Sequence, residues 1–343
     1  MGTIGALFPP PYMPFVVRDD FIVRADLFPL PGIYNGHHEQ NHFVLDSQFD
    51  EFLDERLAAF ARKPDSYRCI DVEDPESLAE VYVRLIKQLA IEYPDYVDYS
   101  PPLLDLRHLG LRAVLTDRQS IAIEIIDPDN DGGRRVLDWV SAQSGLTRLG
   151  DLLALAVQED IVIMRLREDG SHLAESLHVL LPSGWDPAEK VMRGFDTIHE
   201  PVADSQRLMN SAANVMKAMT TKGPYVRFGF SISTCPKLDI HPDVVRPWDA
   251  AWLDDLDTLA SNLTLRVERQ TTMPFPDLGR ALFSVRIYTM PLDRVAAERP
   301  DLLPRIAAVV RSASPAVLQY KGMAHYSDAL ATWCEASAVR LGL

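Results

Sequence analysis

The first third of the chain carries the clearest helical spacing of apolar residues. Residues 46–62 (DSQFDEFLDERLAAFAR) place five apolar side chains on one helical face: Phe49, Phe52, Leu53, Leu57 and Phe60. Residues 76–92 (ESLAEVYVRLIKQLAIE) predict a second helix, which Tyr93-Pro94 ends. The preceding residues 1–36 are rich in proline and glycine, so we expect a coil with one short strand that wraps over the domain. Its expected anchors are Phe8, Tyr12 and Phe15.

The pattern changes in the middle of the chain, where apolar and polar residues alternate. This alternation and the β-branched content predict strands at 120–126, 159–167, 175–181, 225–233, 263–269 and 281–289. Helical spacing predicts helices at 134–143, 147–156, 204–219, 292–299, 301–312 and 323–341. Residues 95–120 alternate too weakly for an assignment. Because strands and helices do not alternate regularly, we expect an α+β fold around one central antiparallel sheet.

Composition narrows the class of protein. The chain has 343 residues, 47% of them hydrophobic and 24% charged, as soluble globular proteins do. Its formal net charge of −15 argues against binding to nucleic acids or anionic membranes. Three cysteines lie far apart, without a CxxC pair, and no signal peptide or membrane span is readable, so we expect a cytoplasmic protein.

One stretch of the sequence matches a zinc-binding pattern. Residues His38-Glu39-Gln40-Asn41-His42 match HExxH, which binds zinc when a helix runs through it. Here the match follows the turn residues Asn35-Gly36 and leads into an extended-looking segment. We therefore predict a polar surface turn, with a zinc hydrolase as a remote alternative.

Charged residues recur inside the apolar strands. Arg266, Glu268 and Gln270 share one face of a predicted strand, and Arg269 shares the other face with Thr271. Arg227 and Arg286 occur in similar surroundings, in YVRFGF and FSVRIYT. Buried arginines need a carboxylate or an anionic ligand. The pattern predicts either a solvated edge strand or a polar pocket for carboxylates, phosphates or haem propionates.

A second candidate region is residues 180–202, where two prolines stiffen an irregular connection. It carries Trp185, Lys190 and His199, side chains that are typical of a ligand pocket. A histidine in such a place is either structural or a ligand. No Rossmann glycine motif, Walker loop or nucleophile elbow is present, so any redox chemistry would take its electrons from a partner.

Several motifs, in this order, resemble one family. They are LxxLAVQED (152–160), LPSGWDPAEK (181–190), IHEPV (198–202), PYVRFGFSIS (224–233), RVERQT (266–271) and ALFSVRIYTMPL (281–292). FPPPYMPF and the VLD before the first helix fit the same pattern. The chain thus resembles the α subunit of the haem-dependent oxidative N-demethylases, the dimethylamine-oxidising family.

The resemblance implies a PAS-like core that holds b-type haem. Residues 111–343 would form this haem domain, with 1–110 packed on it as a wrapping segment and helices, so that the whole is one continuous domain. The implied reaction is oxygen activation and oxidative removal of a methyl group from a secondary amine, with release of formaldehyde. NADPH, flavin and a 2Fe–2S cluster would belong to separate reductase subunits.

The same resemblance implies roles for individual residues. His199 would be the proximal iron ligand. Arg266, Arg269 and Lys190 would pair with the propionates, and Trp185 would also line the cofactor site. Catalytic positions on the distal side would be Glu268, Arg227 and Arg286, with Glu268 or Trp185 facing an ammonium group. A haem oxygenase for another small molecule and a haem gas sensor are the alternatives, and a homo-oligomer is also open.

Overall fold

The computed structural model describes residues 3–14, 20–23, 26–34, 36–116, 121–167, 169–244 and 246–343. Within these ranges the fold is α+β, with a mostly antiparallel main sheet as predicted. No helix in them is both long enough and apolar enough to cross a membrane.

Thirteen strands occur in the described ranges, most of them short. In chain order they are β1 (Phe28–Pro29), β2 (Gly32–Tyr34), β3 (His37–Glu39), β4 (Arg68–Ile70), β5 (Val97–Ser100), β6 (Leu103–Leu106), β7 (Leu111–Leu115), β8 (Ile121–Ile125), β9 (Glu159–Leu166), β10 (His172–His178), β11 (Tyr225–Ser233), β12 (Thr264–Phe275) and β13 (Arg280–Pro291).

The main sheet has seven strands in the order β1-β11-β12-β13-β9-β10-β4, and every neighbouring pair is antiparallel. β12 and β13 form its long central hairpin, with Arg269 opposite Arg286. Both strands run past the predicted ends at 269 and 289. A second sheet, β5-β6-β7-β8, lies mostly in the stretch whose alternation was too weak to assign. Residue 120, the predicted start of β8, lies outside the described residues.

Twelve helices occur in the described ranges. They are α1 (Phe49–Arg62), α2 (Pro64–Tyr67), α3 (Pro75–Glu92), α4 (Asp131–Ser141), α5 (Gly145–Ala156), α6 (Phe195–His199), α7 (Gln206–Thr221), α8 (Leu256–Ser261), α9 (Leu292–Glu298), α10 (Leu303–Ser312), α11 (Pro315–Tyr320) and α12 (Ser327–Arg340). All eight predicted helices are present within a few residues. Local capping explains two of their starts, since the side chain of Asp74 accepts from Ser77 N and that of Asn130 from Gly133 N.

The two faces of the main sheet have different environments. One face packs against α1, α3, α5 and the segment around residues 39–46, in a core that includes Phe43, Phe52 and Ile163. The other face of its central part looks towards α6 and α7. A separate core joins α8–α10 and α12 to the ends of the central strands. The N-terminal segment is anchored as expected by Phe8, which is buried, and by Tyr12, which is half-buried; Phe15 lies outside the described residues.

Candidate functional site

A cavity of about 790 Å³ lies between the main sheet and α6–α7. This volume falls within the range of small-molecule and cofactor sites. Its wall includes a largely apolar group: Val162, Met164, Leu177, Val179, Ile198, Met216, Met219 and Phe283. Phe21, Phe28, Val317 and Tyr320 also line the cavity, so chain segments distant in sequence meet around it.

His199, at the end of α6, lines this cavity. Its Nδ1 lies 2.7 Å from the carbonyl oxygen of Phe195, and the two rings stack at 4.0 Å. Because a carbonyl only accepts, Nδ1 carries the proton and Nε2 keeps its lone pair. Burial lowers the pKa of His199, the bond to Phe195 opposes this shift, and the cations of Arg227 and Lys190 lower the pKa further. The result is a neutral imidazole whose ring is oriented by its own backbone, as metal-ligating histidines are.

The cavity face of β12 carries Arg266, Glu268 and Gln270, as the alternation predicted. Glu268 is held on both oxygens: Ser183 Oγ donates to Oε1 at 2.5 Å and Gln270 Nε2 to Oε2 at 2.8 Å. On the neighbouring strand β11, Gly229 lies opposite Glu268 and brings no side chain. The carboxylate is therefore fixed in position on the sheet side of the cavity.

Arg266 also lines the cavity, but its N–H groups already donate hydrogen bonds to other residues of the protein. Nε donates to Ser183 Oγ at 2.9 Å, Nη1 to Leu238 O at 2.7 Å and Nη2 to Leu181 O at 3.0 Å. Burial lowers its pKa, and the carboxylate of Glu268 opposes that shift. Arg266 thus ties two loops to the sheet and adds positive charge to the cavity, with few donors left for an external anion.

Three further predicted residues line the same cavity: Trp185, Lys190 and Arg227. Arg227 lies on β11 opposite Gln270. Burial lowers its pKa, against the carboxylates of Glu268 and Asp26. The structure therefore brings together six of the eight predicted site residues.

Arg269 and Arg286 lie on the face of the sheet that is turned away from the cavity. The alternation predicted this face for Arg269, but the position of both arginines gives no support to the site roles that the resemblance implied for them. Arg269 pairs with Glu39 at 2.7 Å and donates to the carbonyls of residues 41 and 42. Arg286 pairs with Asp46 at 2.6 Å. The reason is strand alternation, which turns position 269 away from 268 and 270, while position 286 is the cross-strand neighbour of 269. Neither arginine lines the cavity.

The HExxH motif does not form a metal site in the described part of the chain. His38 and Glu39 end strand β3, so no helix brings His38 and His42 together. His42 Nδ1 contacts Glu92 at 2.9 Å, and Glu39 pairs with Arg269. The prediction of a polar surface turn is also wrong for Glu39 and His42, which are buried. Among the described residues, no cluster of three or more His, Cys, Asp or Glu side chains is arranged for a metal ion.

Sequence reasoning missed Ser183 and Lys321. Ser183 is signalled only by its position in the PSGW turn. Lys321 Nζ donates to Phe230 O at 2.8 Å and lies 5.4 and 5.7 Å from the ring centres of Phe21 and Phe230. Burial lowers its pKa, and Glu268 opposes that shift. Nothing in the polar stretch around residue 321 indicates that this lysine faces a cavity.

The cavity is largely apolar and is lined by one oriented, neutral histidine and by a fixed carboxylate on the sheet, an arrangement that can hold a small molecule or a cofactor. The sequence model of one family, described as haem-dependent oxidative N-demethylase, alpha subunit-like, matches residues 34–331. The chain belongs to this family. The family's description indicates haem dependence and oxidative chemistry, and the term subunit indicates an assembly with partners.

Proposed function

We propose that this chain is the haem-binding, oxygen-activating component of a monooxygenase that removes a methyl group from a small secondary amine such as dimethylamine. The observation that carries the proposal is His199, whose Nδ1 is engaged by Phe195 O while its ring lines the large cavity. The family membership supports haem as the group that the cavity holds.

The donor set and the walls fit a b-type haem. Nε2 of His199 would ligate the iron, the apolar side chains of α7 and β9 would contact the macrocycle, and Lys190 would supply a cation near a propionate. The main sheet and the short helix α6 around one cavity support a PAS-like description of this core. When bound there, haem supplies the site at which dioxygen is activated.

Glu268 is the residue that we propose binds the amine. Ser183 and Gln270 fix its carboxylate, so it can accept a hydrogen bond from an ammonium group without reorganising. Arg227 supplies positive charge on the adjacent strand. The apolar wall keeps bulk water from the methyl group that reacts.

The overall reaction that we propose consumes dioxygen, an electron pair and two protons, and it releases the demethylated amine, formaldehyde and water. The electrons would come from NADPH through a separate reductase that carries flavin and a 2Fe–2S cluster. The sequence supports this division of labour, because it has no recognisable nucleotide-binding loop and only three widely spaced cysteines.

The test is an absorption spectrum of the purified protein, as isolated and after haem reconstitution. We compare the wild type with His199→Ala and with His38→Ala, a control that removes an exposed histidine outside the cavity. A Soret band that shifts or collapses only in His199→Ala supports the proposal, and addition of dimethylamine should then perturb the wild-type spectrum. Absence of a Soret band after reconstitution refutes it.

A further inference from the structure

Arg246 lies in a cradle made by two glycines at the rim of the cavity. A Cβ atom on Gly184 would lie 2.3 Å from its Nη2, and one on Gly322 would lie 3.7 Å from its Nη1. Both glycines have positive φ angles, 88° and 69°, which other residues rarely adopt. The guanidinium therefore bridges the PSGW turn and the turn after α11, and all three residues line the cavity.

The guanidinium of Arg246 differs from that of Arg266 in its hydrogen bonds. The guanidinium of Arg266 donates hydrogen bonds to Ser183 and to backbone carbonyls. Arg246 makes no hydrogen bond or ion pair with any residue in the described ranges. A guanidinium has five donors in a planar fork that matches a carboxylate. The two glycine turns thus position Arg246, and its N–H donors have no acceptor among the described residues.

Lys321 lies beside this cradle, as the residue before Gly322. Of its three protons, one goes to Phe230 O. Glu268 is the carboxylate that acts on it among the described residues, and it already accepts from Ser183 and Gln270. Arg246, which is exposed at the rim, and the half-buried Lys321 both keep donors for an anion that enters this part of the cavity.

Several acidic residues of the cavity wall have partners other than Arg246. Asp160 accepts from Arg56 and from the amides of Leu180 and Leu181. Asp186 accepts from Ser66 Oγ at 2.5 Å. On the N-terminal segment, the carboxylate of Asp26 acts on the pKa of Arg227.

We propose that Arg246 and Lys321 form a binding site for a carboxylate group of the cavity's ligand. The carboxylate is either a haem propionate, which rests on the function proposed above, or an acidic group on the amine substrate. In both cases Arg246 engages it from the rim and Lys321 from inside the cavity.

The variants are Arg246→Gln and Lys321→Met, with Arg294→Gln as the matched control. Arg294 is exposed on α9 and pairs only with Glu298 among the described carboxylates. Apoprotein is titrated with haem and with haem dimethyl ester, whose propionates are uncharged. The binding of N-methylglycine and of dimethylamine is measured by calorimetry. Circular dichroism shows that each variant is folded, and Arg246→Lys tests whether the charge alone restores binding.

If the propionate is bound, Arg246→Gln weakens haem binding by about tenfold, the loss expected of one charge-assisted hydrogen bond, and leaves the ester unchanged. If the substrate carries the carboxylate, haem binding is unchanged and N-methylglycine binds about tenfold more weakly, while dimethylamine is unaffected. The inference is overturned if Arg246→Gln and Lys321→Met bind haem and N-methylglycine with the same affinities as the wild type. A wild type without a Soret band refutes the haem proposal alone, since calorimetry still tests the carboxylate site.

Discussion

The buried pair of Arg286 and Asp46 allows a quantitative test of the two-faced sheet. Arg286 is fully buried, donates to Asp46 Oδ2 at 2.6 Å, and lies 3.8 Å from the ring centre of Phe52 and 4.7 Å from that of Tyr288. Asp46 also accepts from Gln158 Nε2 at 3.1 Å. We expect this arginine to stabilise the fold and not to act in the cavity, so Arg286→Met and Asp46→Asn should change stability and leave ligand binding intact.

The magnitude follows from what each change leaves behind. Arg286→Met leaves the carboxylate of Asp46 buried without its cation, which costs about 3–5 kcal/mol. Asp46→Asn keeps the acceptor for Gln158 but leaves the guanidinium without its anion, at a similar cost. In the double variant no unpaired charge remains, so it should be less destabilised than the sum of the singles by at least about 2 kcal/mol.

The assay is urea unfolding followed by circular dichroism for the wild type, both single variants and the double variant. Haem affinity is measured in parallel under folded conditions. The reasoning is refuted if Arg286→Met costs less than about 1 kcal/mol, below any buried unpaired charge. It is also refuted if the two changes are additive, or if the folded single variants lose haem or amine binding.

Three further predictions test other parts of the structure. Burial raises the pKa of Glu159 from 4.5 to about 7, so the folded state holds a proton that the unfolded state releases. Stability should therefore fall by on the order of 3 kcal/mol as the pH rises from 4.5 to 7, and urea midpoints should show a smaller fall in Glu159→Gln. A Cβ atom at position 133 would lie 1.8 Å from Leu109 O, so Gly133→Ala should cost roughly 1–3 kcal/mol, and an unchanged melting temperature would contradict this. Ser183→Ala removes a donor from Glu268 and should weaken dimethylamine binding by about tenfold in spectral titrations of the haem-loaded protein, whereas equal affinity would argue against Glu268 as the amine receptor.

Local pattern was sufficient for the longer helices, for the longer strands of the main sheet and for the two faces of β12. Alternation in RVERQ correctly assigned Glu268 and Arg269 to opposite faces, because side-chain direction in a strand has a period of two. Alternation did not show whether the side chain of Arg286 faces the cavity. That depends on the pairing of β13 with β12 and on Asp46, a carboxylate 240 positions away in sequence.

Other misses have a similar physical origin. The second sheet was not predicted because β5, β6 and β7 have only four or five residues each, too few to establish a period. Lys321 was missed because its partners, Phe21 and Phe230, come from remote segments that meet only in the folded chain. The resemblance to a family supplied what spacing could not, namely the cofactor and a reason to single out His199.

The two-sided character of β12 constrains how this gene can change length. Odd positions such as 269 and 271 hold the 41–42 segment, while even positions such as 266 and 268 face the cavity. Loss or gain of one codon within this strand would exchange the two sets and disrupt scaffold and ligand site together. Changes of two codons preserve the facing, so surviving length variants should differ in steps of two here. The turn at 276–279, where Pro276 and Asp277 are exposed, lies outside the strand and does not carry this restriction.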